Sequence, residues 1–368
     1  MEKAIYSSIF GKLTERTQIR FDEISKQHKQ LFDNVIFTPY FDWDTPTIGL
    51  NFEELVGKYN VTIAATTVGE NGKEPVRPTA GFETMKEKVL KHTHTYPLTI
   101  QEYRKVLSIL DSNILDDTTK KKELVKIMWG TVTDAVAGIL AKDDMIILGA
   151  MSNEGKCVIN QENNPEGISA TIDYGMPDEN KATVTNDWTQ ENIGTIDTFE
   201  DIQAILDAST DKVVFKEIWA HPSKITYILR TSKMKELIWG KDKSSTPLLL
   251  SQLNDFMQTN GFPVFKPIRR QVRIQNLDGT TKTYSPFNPD ALVFVPDGKL
   301  GVIKNAYADS ELRPEPGVSY SMYGRIRVSQ WGVGETQASN GVEFTKAESI
   351  NLPVIKAING IYSLKTKK

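Results

Sequence analysis

One segment constrains the fold more than any other, a long helix legible from Thr118 to Lys142. Leu124, Ile127, Met128, Thr131, Ala135, Ile139 and Lys142 recur at spacings of three and four, the period that lines up one helix face. Lys120, Lys122, Lys126 and Asp134 fall opposite them. About 25 residues at 1.5 Å each make a rod of roughly 37 Å, long for the core helix of a small domain. Gly130, Ala137, Gly138 and Ala141 carry little or no side chain, so another element can come close to the helix backbone there.

The chain ahead of this rod has little to bury. About 35 residues read as a polar arm with short helical stretches. "VIFTPYFDWDTPTIGLNF" follows as extended chain, interrupted by Pro39 and Pro46. Residues 59–98 then form a two-limbed excursion: "YNVTIAATTVG" as a strand, "ENGKEPVRPTAG" as a turn and "FETMKEKVLKHTHTYPLTI" as the return limb. The tip holds Glu70, Lys73, Glu74 and Arg77 but no large apolar residue except Val76. An isolated two-stranded ribbon is marginal in water, so this excursion is either disordered or laid on another surface. "TIQEYRKVLSILD" opens a helix, with Thr99 as N-cap and Glu102 three residues on, a capping box.

Beyond the long helix the pattern is mixed. "KCVINQ" and "GISATIDYGM" alternate as two strands joined by "ENNPEG". "TFEDIQAILDAS" is a helix with Thr198 expected as N-cap and Asp201 as a short version of the box acid. "ITYILRTSKMKELIWG" reads as a strand or a helix ending at Gly240, and "TPLLLSQLNDFMQTNG" as a helix closed by Gly261. Asp278-Gly279 marks a hairpin inside "RRQVRIQNLDGTTKTYSP". The final ~75 residues are strand-like. Helices and strands are segregated rather than alternating, so the class expected is α+β.

Composition excludes several functions. The chain has 368 residues and a formal net charge of −3, which provides no global field for nucleic acid or an anionic membrane. No apolar run approaches the ~18 residues of a membrane span, and the first residues do not read as a signal peptide. Cys157 is the single cysteine, so no intrachain disulfide and no cysteine-based zinc site is expected. There is no G-x-S-x-G, Walker A or G-x-G-x-x-G pattern. His92 and His94 share a strand face but have no third ligand beside them, and a solvated face is the expected reading. "KPIRRQVR", Lys266 to Arg273, reads as a charged exposed hairpin rather than a phosphate patch. Asp173 and Glu166 sit at a turn without an orienting histidine or metal partner, so no catalytic residue, cofactor or metal is expected.

The order of segments resembles the major capsid proteins of tailed phages, most closely the lambda-type family called major capsid protein E. The residues that carry the resemblance are "LVKIMWGTVTDAVAGILAKDDMIILGA", "GKCVINQENNPEGISATIDYGMP", the "NDW" of Asn186 to Trp188, "GFPVFK", "FNPDALVFVPDGKLGV", "RIRVSQWGV" and "INLPVIKAINGIYSL". It spans residues 30–368 and is densest from 118 onward.

The resemblance implies the Hong Kong 97 phage capsid fold, divided as follows. An N-terminal arm and lead-in occupy 1–58 and an extended E-loop 59–98, with Glu70, Lys73, Glu74 and Arg77 at its tip as assembly contacts. A peripheral domain spans 99–189, its spine helix at about 118–142 packing through Leu124, Ile127, Met128, Ala135 and Ile139. An axial domain spans 190–320, and C-terminal strands return over 321–368. It also implies self-assembly into homo-pentamers and homo-hexamers, a separate scaffolding protein, a portal and non-specific contact with packaged double-stranded DNA. The protein would be assembled in the host cytoplasm and reside in the virion, with no membrane partner. An encapsulin-like nanocompartment shell of the same fold is the alternative.

Overall fold

The computed structural model describes residues 35–56, 83–165, 167–210, 212–276, 278–332 and 343–368; within them, the side chains of 55, 56, 83, 84, 100, 103, 110, 117, 121, 122, 124–131 and 243 lie outside the description. Four strands come first: β1 Phe41–Trp43, β2 Asn51–Val56, β3 Glu83–Lys88 and β4 Leu90–Leu98. Helix α1, Ile100–Asp111, starts as its sequence demands. Thr99 Oγ1 accepts the Glu102 amide, and the Glu102 carboxylate accepts the Thr99 amide at 2.9 Å. The long helix α2 runs Asp117–Ser152, ten residues beyond the end read from sequence. Asp116 begins it by accepting the Thr119 amide, and Glu154 and Gly155 end it with positive φ values of 56° and 83°. The shorter reading stops just ahead of two adjacent carboxylates, Asp143 and Asp144. Both are buried and partnered within the fold, so they do not interrupt the helix.

Strands β5 Lys156–Ile159 and β6 Ala170–Asp173 pair antiparallel around the polar turn, as their alternation suggested. Strand β7 Lys181–Thr183 precedes helix α3, Thr198–Ser209. Its N-cap is Asp197, whose carboxylate accepts the Phe199 and Glu200 amides at 3.1 Å, and not Thr198. Asp201 instead accepts the Trp188 indole N–H. Then come β8 Phe215–Ala220, α4 Pro222–Arg230, α5 Ser232–Trp239 and α6 Leu250–Thr259. Both expected closing glycines adopt positive φ, Gly240 at 79° and Gly261 at 75°. The expected hairpin is β10 Val272–Gln275 with β11 Thr281–Tyr284, following β9 Val264–Pro267. Strands β12 Ala291–Pro296 and β13 Gly301–Ala306, a short helix α7 Asp309–Leu312, and strands β14 Ser319–Tyr323, β15 Ile326–Gly332, β16 Glu343–Val354 and β17 Tyr362–Lys365 complete the chain.

These elements form two compact units. In one, a sheet runs β1-β13-β16-β15-β14, and β4 also pairs with β16. The β4 ladder is antiparallel over nine positions, from Leu90↔Asn351 to Leu98↔Glu343. Residues 90–98, read from sequence as part of a coreless excursion, therefore have a partner strand some 250 positions away. Alternation sends His92, His94, Tyr96 and Leu98 to one face, level with Ser349, Ala347, Thr345 and Glu343. That face meets α2. The other unit is built on the sheet β7-β17-β12-β8-β9. Its central strand β12 is buried at every position, and α3, α4, α5 and α6 cover the sheet with Ile202, Ile225, Ile228, Met234, Leu253 and Met257. Full burial of side chains this size stabilises by about 1.5–3 kcal/mol each before entropy is charged.

Candidate functional site

The strongest concentration of buried polar groups among the described residues lies where α2 crosses the β4–β16 face. Helix positions Asp134, Gly138 and Asp143 meet this face. A Cβ placed on Gly138 would lie 2.2 Å from His94 Nδ1, so the imidazole fills the space a side chain would take. The small residue read from sequence as permitting close approach has an aromatic ring on it. His94 in turn lies 4.5 Å from the Tyr96 ring, centroid to centroid. Burial lowers the His94 pKa and raises that of Tyr96; the Asp134 carboxylate raises both.

His92 is not on a solvated face, contrary to the reading from sequence. It is buried, and desolvation, helped by the Lys142 charge, pushes its pKa down to about 3. The error has a simple cause: alternation shows that two histidines share a face but not what covers it. Two residues beyond Lys142, Asp144 accepts backbone amides from Ile36 and Phe37, both at 3.1 Å to Oδ1, pinning the lead-in segment to α2. On the opposite face of the sheet, Glu348 is enclosed between Lys91 at 2.9 Å and Lys346 at 2.5 Å, and Lys91 also reaches Asp309 at 2.7 Å. The Glu348 contacts are charge pairings more than well-directed hydrogen bonds. The Asp309 bond and Glu348 together raise the Lys91 pKa against a partial desolvation.

None of Asp143, Asp144, Glu348 or Asn351 was singled out from sequence. The available signal was a pair of acids inside an otherwise apolar helix tail. Of the residues that were singled out, Ala135 and Ile139 are buried. Leu124, Ile127 and Met128 belong to α2, but their side chains lie outside the described residues. Glu70, Lys73, Glu74 and Arg77, which fall between β2 and β3 in the sequence, also lie outside the described residues.

Elsewhere the chemistry is structural. Asp173 pairs with Lys156 at 3.0 Å and accepts the Gly175 amide, so its carboxyl titrates below the ordinary range; Glu166 lies outside the described residues. Asn163 closes the same turn by donating to the Val158 carbonyl at 2.8 Å. In the basic run, Lys266 lies over the Trp219 ring and near Glu217. A polar cavity of about 380 Å³ is lined by Asn186, Thr195, Ile196, Asp197, Glu200, Asp201 and Lys233. Asp197 is occupied in capping α3 and Asp201 in holding Trp188, so two of its three acids already have structural partners. Among the described residues, no group of three His, Cys, Asp or Glu side chains is arranged to hold a metal ion. No described helix is long and apolar enough to cross a membrane.

Solved structures share this architecture. A protein of Escherichia coli CFT073, assigned as a prophage capsid protein, superposes with a TM-score of 0.56 at 12% identity, over 94% of this chain and 99% of that one. A phage-related protein from Bordetella bronchiseptica RB50 gives 0.51 at 10% identity, over 94% and 97%. No protein-family model matches the sequence, and no curated protein matches it. The chain has the α+β fold of phage capsid proteins, the Hong Kong 97 type that the sequence resemblance implied.

Proposed function

We propose that this chain is the major capsid protein of a tailed phage, a structural subunit whose copies close into pentamers and hexamers and then into an icosahedral head around double-stranded DNA. The observation that carries the reading is the extent of the fold likeness. It takes in 94% of this chain and 99% of the prophage protein. In this reading the protein is not an enzyme, and its working surfaces are those that meet other copies of itself. A fold that presents the same surfaces from every copy forms closed symmetric arrays.

The finer assignments go with the same proposal. Residues 1–58 are the arm and lead-in, 59–98 the extended loop, and α2 is the spine. The segment 190–320 is the axial domain, and the strands after 320 return to the peripheral domain. A separate scaffolding protein, a portal, sequence-independent DNA contact, assembly in the host cytoplasm and residence in the virion complete it. The lambda-type subdivision rests on the sequence resemblance alone. Electron microscopy of the purified chain, with and without a co-expressed scaffold, tests the proposal. Rings of five and six and closed shells are expected, and a protein that stays monomeric at high concentration with scaffold supplied overturns it. Nucleic acid extracted from shells formed in the infected host separates a genome container from a protein-filled compartment.

A further inference from the structure

Asp143 and Asn351 face each other across the α2–β16 contact, and both are fully buried. The Asn351 Nδ2 group donates to Asp143 Oδ2 at 3.2 Å and to Ser349 Oγ at 3.1 Å, which uses both amide hydrogens. Two atoms are left over, Asp143 Oδ1 and Asn351 Oδ1, and among the described residues no donor reaches either. With Asp143 ionised both are acceptors. The helix–sheet contact would then enclose a charge and two acceptors without a hydrogen bond, the costliest state a buried polar pair can adopt. One proton removes all three defects. We propose that Asp143 is held as the neutral carboxylic acid and donates from Oδ1 to Asn351 Oδ1, closing a two-bond acid–amide pair that latches α2 to β16.

The surroundings favour the neutral form. Burial pushes the Asp143 carboxyl well above the usual range, and the neighbouring Asp144 charge pushes it the same way; the Asn351 hydrogen bond acts in the opposite sense. Asp144 can keep its charge because two backbone amides of the lead-in segment point at it. The other titratable groups on this face of the sheet are His92, His94 and Tyr96 on β4 and the buried Glu343 on β16. His92 is kept neutral by burial, with Lys142 on α2 beside it, and Asp134 on α2 acts on His94 and Tyr96. Glu348, Lys91 and Lys346 lie on the opposite face and are paired there, Lys91 also with Asp309, and Lys304 on β13 is engaged with Asp44. Among the described residues, no cation is therefore positioned to stabilise an Asp143 carboxylate. The latch is pH-sensitive in one direction. Its contribution is complete below the ordinary carboxyl value of 3.8 and is lost as pH rises through the elevated value in the fold.

The test is chemical unfolding of the full chain, wild type and Asp143→Asn, from about pH 4 to pH 9. The Asn side chain supplies an N–H in place of the acid O–H and cannot ionise. The ratio of the two unfolding constants is expected to shift about tenfold per pH unit against the wild type, until Asp143 ionises in the fold. A ratio that stays flat overturns the proposal. If Asp143→Asn does not fold, infrared spectra of wild-type protein carrying ¹³C-carboxyl aspartate decide the matter. A protonated-carboxyl band at pH 7 that disappears on unfolding supports the latch, and its absence overturns it.

Discussion

Gly138→Ala sets two well-understood effects against each other. In a free helix the change is favourable by about 1 kcal/mol, because glycine gives up more backbone entropy than alanine. Here the new Cβ would stand 2.2 Å from His94 Nδ1, 3.0 Å from Cε1 and 3.3 Å from Cγ. Carbon atoms rest at roughly 3.5–4.0 Å, so the ring must retreat by more than about 1 Å. It has little room: Tyr96 lies against it, and β4 is tied to β16 along its whole length. Overpacking of this kind costs about 1–3 kcal/mol, so the net effect is a destabilisation of about 1 kcal/mol. The assay is urea unfolding of the unassembled chain, run as a double-mutant cycle with His94→Ala. Without the ring, Gly138→Ala should stabilise by about 1 kcal/mol, so the sign of the substitution inverts between the two backgrounds. An equal effect of Gly138→Ala in both backgrounds would refute the contact as the reason for the glycine.

Two further outcomes follow from single residues. His92 titrates at about 3 in the fold and near 6.5 unfolded, so its contribution is complete above pH 6.5 and is lost as pH falls toward 3; at pH 5 the loss is about 2 kcal/mol, and in urea unfolding a His92→Gln chain should lack that part of the acid slope. Asp197→Ala removes the acceptor for two amides at the start of α3 and should cost about 1 kcal/mol in thermal unfolding; no loss would mean that solvent caps the helix equally well.

What the sequence determined by itself is what neighbours in the chain can decide. The Thr99–Glu102 box, the Asp278-Gly279 hairpin and the helix stops at Gly240 and Gly261 each depend on a few consecutive residues, and each is legible in the residues alone. So is the bareness of α2 at Gly138, since a missing side chain needs no neighbour to reveal it. The local rule failed where two candidates adjoined: Thr198 and Asp197 both suit a cap, and the backbone chose the aspartate. Tertiary structure decided everything that depends on a distant partner. It set the His94 ring on Gly138, and it buried His92 by pairing β4 with β16. It also turned Asp143 and Asp144 from an apparent helix end into buried contacts to Asn351, Ile36 and Phe37. The physical reason is that a helix or a turn is specified by hydrogen bonds between residues a few positions apart. Burial and the pKa of a buried acid are set by whatever strand lies on top, and here that strand lies some two hundred residues further along the chain.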